Sequence, residues 1–262
     1  MAFFSIDPAS SVAFNSDVGH QFLLKYQSHV DKEIREQNER VSSKTFAPSS
    51  FRCDRKSWFR LRGTEPDTNQ PVDRSMAFMA MLGTACHQSI QSTLIRMAES
   101  DPDFEWISVP DYLAEHPLPG KYTVTQNGYE SQIELIEPFP IKFACDGIVR
   151  WKGVYYLLEI KTAEHSSFVS LTGCKPHHAD QVTLYATIFN IADVLMIYQD
   201  RQYGDLNVYT YKIKEYQRTD ITRRLSNVMD HVASNIAPDP LPRGDLFCSG
   251  CNYAHKCAQW GR

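Results

Sequence analysis

The sequence predicts an α/β protein, a β-sheet with helices on both sides. Three observations carry this. Strand-like and helix-like segments are mixed along the chain. Leu157, Leu158 and Ile160 make one strand apolar on both faces, as in a sheet covered from both sides. Residues 75–99 keep apolar positions at a helical period. At 262 residues the chain can form one large domain or two small ones.

Composition narrows the function classes. A hydrophobic fraction of 42% and a charged fraction of 22% describe an ordinary soluble globular protein. The opening MAFFSIDPASS has no basic n-region, so no signal peptide is expected. No apolar run approaches the ~20 residues of a membrane span. A cytoplasmic setting is the expectation. The net charge of −4 argues against nucleic-acid attraction by the whole molecule. DNA binding would need a local basic patch or metal ions. Seven cysteines without a secretory signal read as thiols and metal ligands.

In chain order, 1–14 read as a loose segment, and Asn15-Ser16-Asp17 predicts a helix start. That helix should run to about Val41 and pack through Val18, Phe22, Leu23, Tyr26, Val30 and Ile34. Pro48-Ser49-Ser50 is a second helix start, followed by the densest basic run, Arg52, Arg55, Lys56, Arg60 and Arg62. Its interleaved Cys53, Trp58 and Phe59 favour a functional edge over a solvated face. The helix 75–99 should bury its Met and Phe residues, and Gly83 suggests a close approach near His87. Residues 101–120 read as a connecting loop. A hairpin follows with Asn127-Gly128 near its turn.

A second hairpin spans 143–161. With Arg150-Trp151-Lys152-Gly153 as its turn, Asp146 on the first strand falls beside Leu157, facing the side from which Glu159 and Lys161 emerge. Two carboxylates and an ammonium on one surface suggest a divalent-metal site with a catalytic lysine. Glu-x-Lys alone is expected about once by chance in a chain this long, so the neighbours must decide. Residues 164–178 read as a mobile loop. A helix at 178–190 puts Gln181 and Tyr185 on one face. Strands at 193–199 and 206–213 and a helix at about 220–236 complete the domain. After Pro238, Pro240 and Pro242 comes a cysteine-rich tail.

Cys248, Cys251 and Cys257 form C-x2-C-x5-C within that tail. His255 would complete a zinc site, and Cys53, in its basic setting, would complete a four-thiolate iron–sulfur site. Cys86, Cys145 and Cys174 read as ordinary residues.

Taken in order, Cys53-Asp54-Arg55-Lys56-Ser57-Trp58, Gly83-Thr84-Ala85-Cys86-His87, Asp146 with Glu159-Ile160-Lys161, Gln181-x3-Tyr185 and the three tail cysteines resemble the RecB-like group of PD-(D/E)XK nucleases. The likeness is to the CRISPR-associated RecB-type exonucleases that carry an iron–sulfur cluster, and it covers about 48–257. It departs at Asp54, where the family often has proline. The resemblance implies a restriction-endonuclease-like core, a central mixed sheet flanked by helices. Residues 1–47 would be a helical extension and 48–262 the nuclease domain, clasped by a 4Fe–4S cluster on Cys53, Cys248, Cys251 and Cys257. It implies Mg²⁺ or Mn²⁺ held by His87, Asp146, Glu159 and the Ile160 carbonyl, with Asp146, Glu159 and Lys161 catalytic.

Gln181 and Tyr185 would contact substrate or support Lys161, and the basic run, Arg55 and Lys56 included, would hold DNA. The implied activity is a DNA exonuclease on single-stranded ends giving 5′-phosphate products, in a bacterial, archaeal or phage setting. Recombination, replication or CRISPR-adaptation proteins would be its partners. Two rivals remain: a DNA-binding or complex subunit using the fold as scaffold, and a zinc-bound interaction domain.

Overall fold

The computed structural model describes residues 16–38, 43–67 and 73–260. The chain begins with α1 (Ser16–Asn38), a 3-10 turn at Pro48–Ser50, α2 (Asp54–Leu61) and α3 (Arg74–Ser100). Next come β1 (Phe104–Ile107), α4 (Val109–Glu115), β2 (Tyr122–Asn127), β3 (Glu130–Leu135) and β4 (Ile141–Cys145). Then follow β5 (Gly147–Trp151), β6 (Val154–Ala163), α5 (His165–Val169) and α6 (Pro176–Phe189). Last are β7 (Asp193–Asp200), β8 (Leu206–Lys212), α7 (Glu215–Ser234) and α8 (Ala254–Gln259).

The fold is mixed α/β. A five-stranded sheet runs β1-β5-β6-β7-β8, and a three-stranded sheet runs β2-β3-β4. In the large sheet only β6 and β7 are parallel, and the crossover between them carries α5 and α6. The residues Leu158 and Ile160 of β6 pack with Ile90 of α3, while Leu157 joins the larger core with Val182 and Phe189 of α6. The strand is therefore apolar on both faces because a helix covers each. Among the described residues no helix is long and apolar enough to cross a membrane.

Several boundaries differ from the sequence reading, each for a physical reason. The expected hairpin 143–161 is three strands in two sheets: β4 pairs with β3, and β5 pairs with β6. Its turn is the two-residue Lys152-Gly153, with φ of 50° and 78°. Such tight turns match the right-handed twist of the flanking strands. The expected loop at 101–120 contains β1 and α4. Ser108 caps α4 by accepting the Asp111 N–H at 3.1 Å, a start signal hidden among prolines. The expected loop at 164–178 contains α5. Helix α7 begins at Glu215 because Gln217 reaches back to accept the Lys214 N–H at 2.9 Å. Phe46 bridges to Ile141 and is fully buried, so the core already includes residues before 48.

Two apolar expectations fail. Val18, Phe22, Leu23 and Tyr26 of α1 are exposed, and among its described side chains only Ile34 is buried. An Arg74–Asp31 ion pair at 2.6 Å ties α1 to α3. Met76, Phe78 and Met81 are also exposed, because the first turns of α3 precede the part that lies on the sheet. The expected end of the first helix near Val41 lies outside the described residues.

Candidate active site

Asp146 is the residue at which the chain leaves the small sheet and enters the large one. Gly147 makes the passage feasible, since a Cβ there would lie 2.6 Å from the Trp106 ring of β1. The β5–β6 register pairs Gly147 with Leu158; continued by one residue, it sets Asp146 opposite Glu159, not beside Leu157. Asp146 is held from two sides. Its Oδ2 accepts the Ile160 N–H at 2.7 Å, and its carbonyl accepts Gln91 Nε2 at 2.7 Å.

Gln91 is buried on α3, and its Oε1 has no partner among the described residues. Gln91→Leu removes that orphaned oxygen but leaves the Asp146 carbonyl unpaired, so it should cost about 1–3 kcal/mol of stability and about tenfold in divalent-metal affinity, the usual cost of removing an outer support. Calorimetric titration with Mn²⁺ reads this. An unchanged affinity would remove Gln91 from the site.

The remaining groups converge on Asp146. His87 projects from α3, its Nδ1 3.4 Å from Asp146 Oδ1 and 3.5 Å from Glu130 Oε1. Among the described residues, His87, Glu130 and Asp146 form the one group whose metal-ligating atoms all lie within 4.8 Å of one another. Burial works against charge on His87, but the two carboxylates outweigh it and raise its pKa to about 9. A metal binding there must displace that proton, since only neutral imidazole ligates. An oxygen-rich set with one imidazole suits Mg²⁺ or Mn²⁺. Glu130, first in β3, escaped the sequence reading; its only sign there is its place just after the Gly128-Tyr129 turn.

Glu159 and Lys161 emerge on the same face of β6 and form an ion pair. The Glu159 side chain is 2% exposed and that of Lys161 22%. Burial raises the Glu159 pKa to about 7 even with Lys161 beside it. Burial opposes charge on Lys161 too, but Glu159 and Asp146 prevail, so its pKa is raised and the ammonium persists. Gln181 of α6 donates to Glu159 Oε1 at 2.8 Å and to the Tyr185 hydroxyl at 2.9 Å. Tyr185 stacks on Phe143 with centroids 4.5 Å apart.

Thus Gln181 and Tyr185 support Glu159, and Lys161 only through it. Glu159, expected as a metal ligand, borders the same cavity and is paired with Lys161 and Gln181. Ile160 presents its N–H to Asp146 and its side chain to the α3 side. His87, Glu130, Asp146, Glu159, Lys161, Gln181 and Tyr185 line one open cavity of about 380 Å³, and Gln91 and Ile160 do not. Ala80, Gly83 and Thr84 of α3 form a small-residue wall. Gly83 is not forced there, because a Cβ would meet only Thr162 Oγ1 at an ordinary 3.8 Å.

The basic run faces elsewhere. Arg52 pairs with Asp245 at 2.9 Å, and Lys56 lies over the Phe247 ring. Arg55 is buried, its Nε donating to the Pro238 carbonyl at 2.6 Å. These cations fasten α2 to the tail, so Arg55 and Lys56 stand apart from the cavity that holds Lys161. The tail is tied further by the Asp67 N–H to the Asn252 carbonyl at 2.8 Å and by Tyr253 stacked on Phe59.

Cys53, Cys248, Cys251 and Cys257 all border one smaller pocket beside Arg55 and Lys56. His255 is exposed and does not border that pocket. Burial raises the pKa of Cys145 well above the ordinary value and that of Cys174 to about 11, as befits ordinary thiols.

No known protein-family model matches this sequence, and no curated protein matches it. Solved structures with similar chain courses include SSO0001, at 15% identity and a TM-score of 0.49, covering 87% of this chain and 94% of that one. LHK-Exo in complex with dAMP has 15% identity and a TM-score of 0.44, covering 78% and 93%. The alkaline exonuclease LHK-Exo from Laribacter hongkongensis has 13% identity and a TM-score of 0.45, covering 76% and 93%.

Proposed function

We propose that this protein is a metal-dependent DNA nuclease, an exonuclease acting on single-stranded ends and leaving 5′-phosphates. One observation carries the reading: a nitrogen-and-carboxylate donor set and a paired lysine share one open cavity. His87, Glu130 and Asp146 would hold Mg²⁺ or Mn²⁺, with Glu159 completing the set once released by Lys161. Such an ion supplies an acidified water and neutralises charge on a phosphate.

The chain's own groups do the rest. Lys161, kept protonated by Glu159 and Asp146, donates to a phosphate oxygen and stabilises the charge that grows there. Gln181 fixes the orientation of Glu159, and Tyr185 fixes Gln181. The small side chains of α3 let a sugar–phosphate backbone approach His87 closely. The test is linear and circular DNA, single- and double-stranded, labelled separately at each end, with Mg²⁺, Mn²⁺ or EDTA. Loss of end label from linear single strands, abolished by EDTA, is expected. Intact linear DNA under both metals sinks the proposal.

The second cofactor in this reading is a structural 4Fe–4S cluster on Cys53, Cys248, Cys251 and Cys257. Its support is the one pocket that all four cysteines border, since four thiolates are the usual ligation of such a cluster. Protein purified without oxygen should be brown and contain iron, and a Cys251→Ser variant should lose both. A colourless protein containing zinc would refute the cluster.

A further inference from the structure

The cavity holds a second lysine, which the chemistry above leaves unused. Lys142 of β4 lines it together with Lys161, while Glu134, the acid paired with Lys142, does not. Lys142 Nζ lies 3.0 Å from Glu134 Oε2, and the two side chains are 45% and 40% exposed. Lys161 differs on both counts, since its partner Glu159 is buried and lines the cavity itself.

The strand register connects Lys142 to the metal-ligating group. Side chains alternate along a strand, so Lys142, Ala144 and Asp146 share one face. Across the β3–β4 register Lys142 stands opposite Glu134, and Ala144 opposite Gln132. Continued by one residue, it sets Asp146 opposite Glu130, in keeping with their shared place beside His87. On β2, Thr123 and Thr125 extend the same two rows. Thr123, Thr125, Gln132 and Lys142 are exposed, whereas Ile133, Leu135, Ile141 and Phe143 of the other face are buried. The open face of the small sheet is therefore a polar floor that starts at the metal-ligating group and passes Lys142. The Lys142 N–H donates to the Phe46 carbonyl at 3.0 Å, which seats the turn Pro48–Ser50 beside β4; its Ser49 lines the cavity as well.

The charges leave room for an anion. Three carboxylates line the cavity, Glu130, Asp146 and Glu159, along with the two lysines. A metal ion would answer Glu130 and Asp146, and Lys161 answers Glu159. Lys142 is held from outside the cavity alone, by an ion pair so exposed that it contributes little in water. A phosphodiester offers the same ammonium a charged acceptor.

We propose that Lys142 binds a backbone phosphate of a DNA strand that runs from the metal-ligating group over the open face of the small sheet. Glu134 holds the ammonium until the strand displaces it. The inference rests on the nuclease reading of the cavity. Four residues span at most ~14 Å, so Lys142 serves a phosphate near the bond that is cut, not that bond itself.

The experiment is fluorescence anisotropy of a labelled single-stranded oligonucleotide bound to the full chain, with Ca²⁺ replacing Mg²⁺, over a range of salt. Lys142→Gln should weaken binding about tenfold and lower the salt slope by about one, the signature of one lost phosphate contact. Glu134→Gln should do the reverse and tighten binding by up to about fivefold, the worth of an exposed ion pair. Opposite signs separate a ligand from a strut, since a pair that only braces the sheet would make both variants change alike. Lys142→Arg should keep the slope. If the parent cleaves DNA but Lys142→Gln keeps its affinity and slope, the contact is refuted and the nuclease reading stands. Glu134→Gln weakening binding as Lys142→Gln does would refute the contact equally. If the two variants part in opposite directions but the parent cleaves nothing, the cleavage reading falls and the contact stands. A parent that binds no oligonucleotide overturns both.

Discussion

Lys161→Met is expected to cut DNA cleavage by about two to three orders of magnitude, the usual loss when one preorganised electrostatic donor is removed. Methionine matches the lysine stem in length, so packing is conserved while the ammonium disappears. The fold should survive for a reason visible in Glu159. Its pKa is already about 7, raised by burial against the pull of Lys161. Without the ammonium it rises further, and the carboxyl takes up a proton instead of remaining an unpaired buried anion. A group whose folded pKa lies above its unfolded value contributes stability at low pH and loses it as pH rises through the folded value. The variant should therefore melt close to the parent at pH 6 and fall behind it at pH 8. Retained cleavage would remove Lys161 from the mechanism.

Trp58→Ala carries the largest expected loss of stability. Trp58 is 1% exposed, and its ring meets Phe59 at 5.1 Å and Trp260 at 5.3 Å. Arg62 covers it at 4.5 Å, and its Nε1 donates to the His231 carbonyl at 3.0 Å. Truncation should cost about 3–5 kcal/mol and lower the melting temperature by on the order of 10 °C. Trp58→Phe should recover part of that, since it keeps ring packing but not the bond to His231. A Trp58→Ala protein that melts like the parent would mean that α2 is not the anchor of the tail.

The sheet and the central pair of the site were legible from sequence because both follow local rules. Glu159 and Lys161 share a face through the two-residue period of a strand, and Gln181 and Tyr185 share one through a helical turn. Asp146 was placed on the correct side with the wrong neighbour. Adopting the two-residue turn instead of a four-residue one moves its partner by two positions, which preserves the face.

Glu130 was not legible, because its relation to His87 joins the start of β3 to α3, and no local pattern encodes that pairing. The contacts of the basic run were not legible for a related reason. Sequence shows charge but not partners, and the partners of Arg52 and Arg55 are Asp245 and the Pro238 carbonyl, both far along the chain. The same holds for α1, whose apolar period is regular while Phe22, Leu23 and Tyr26 are exposed.

The fastening of α2 to the tail has a consequence in time. Cys53 and Cys257 are separated by 204 positions (257 minus 53), and synthesis proceeds at roughly 5–20 residues per second, so about 10–40 s pass between them. For most of that interval the nascent chain carries Trp58, Phe59 and Cys53 without Tyr253, Trp260 or the tail cysteines. Both sheets are complete before the tail emerges, since β8 ends at Lys212. Docking of the tail on α2 is thus a late event in the life of each molecule. Whatever guards an unfinished apolar surface and a lone thiol must act on α2 during those seconds.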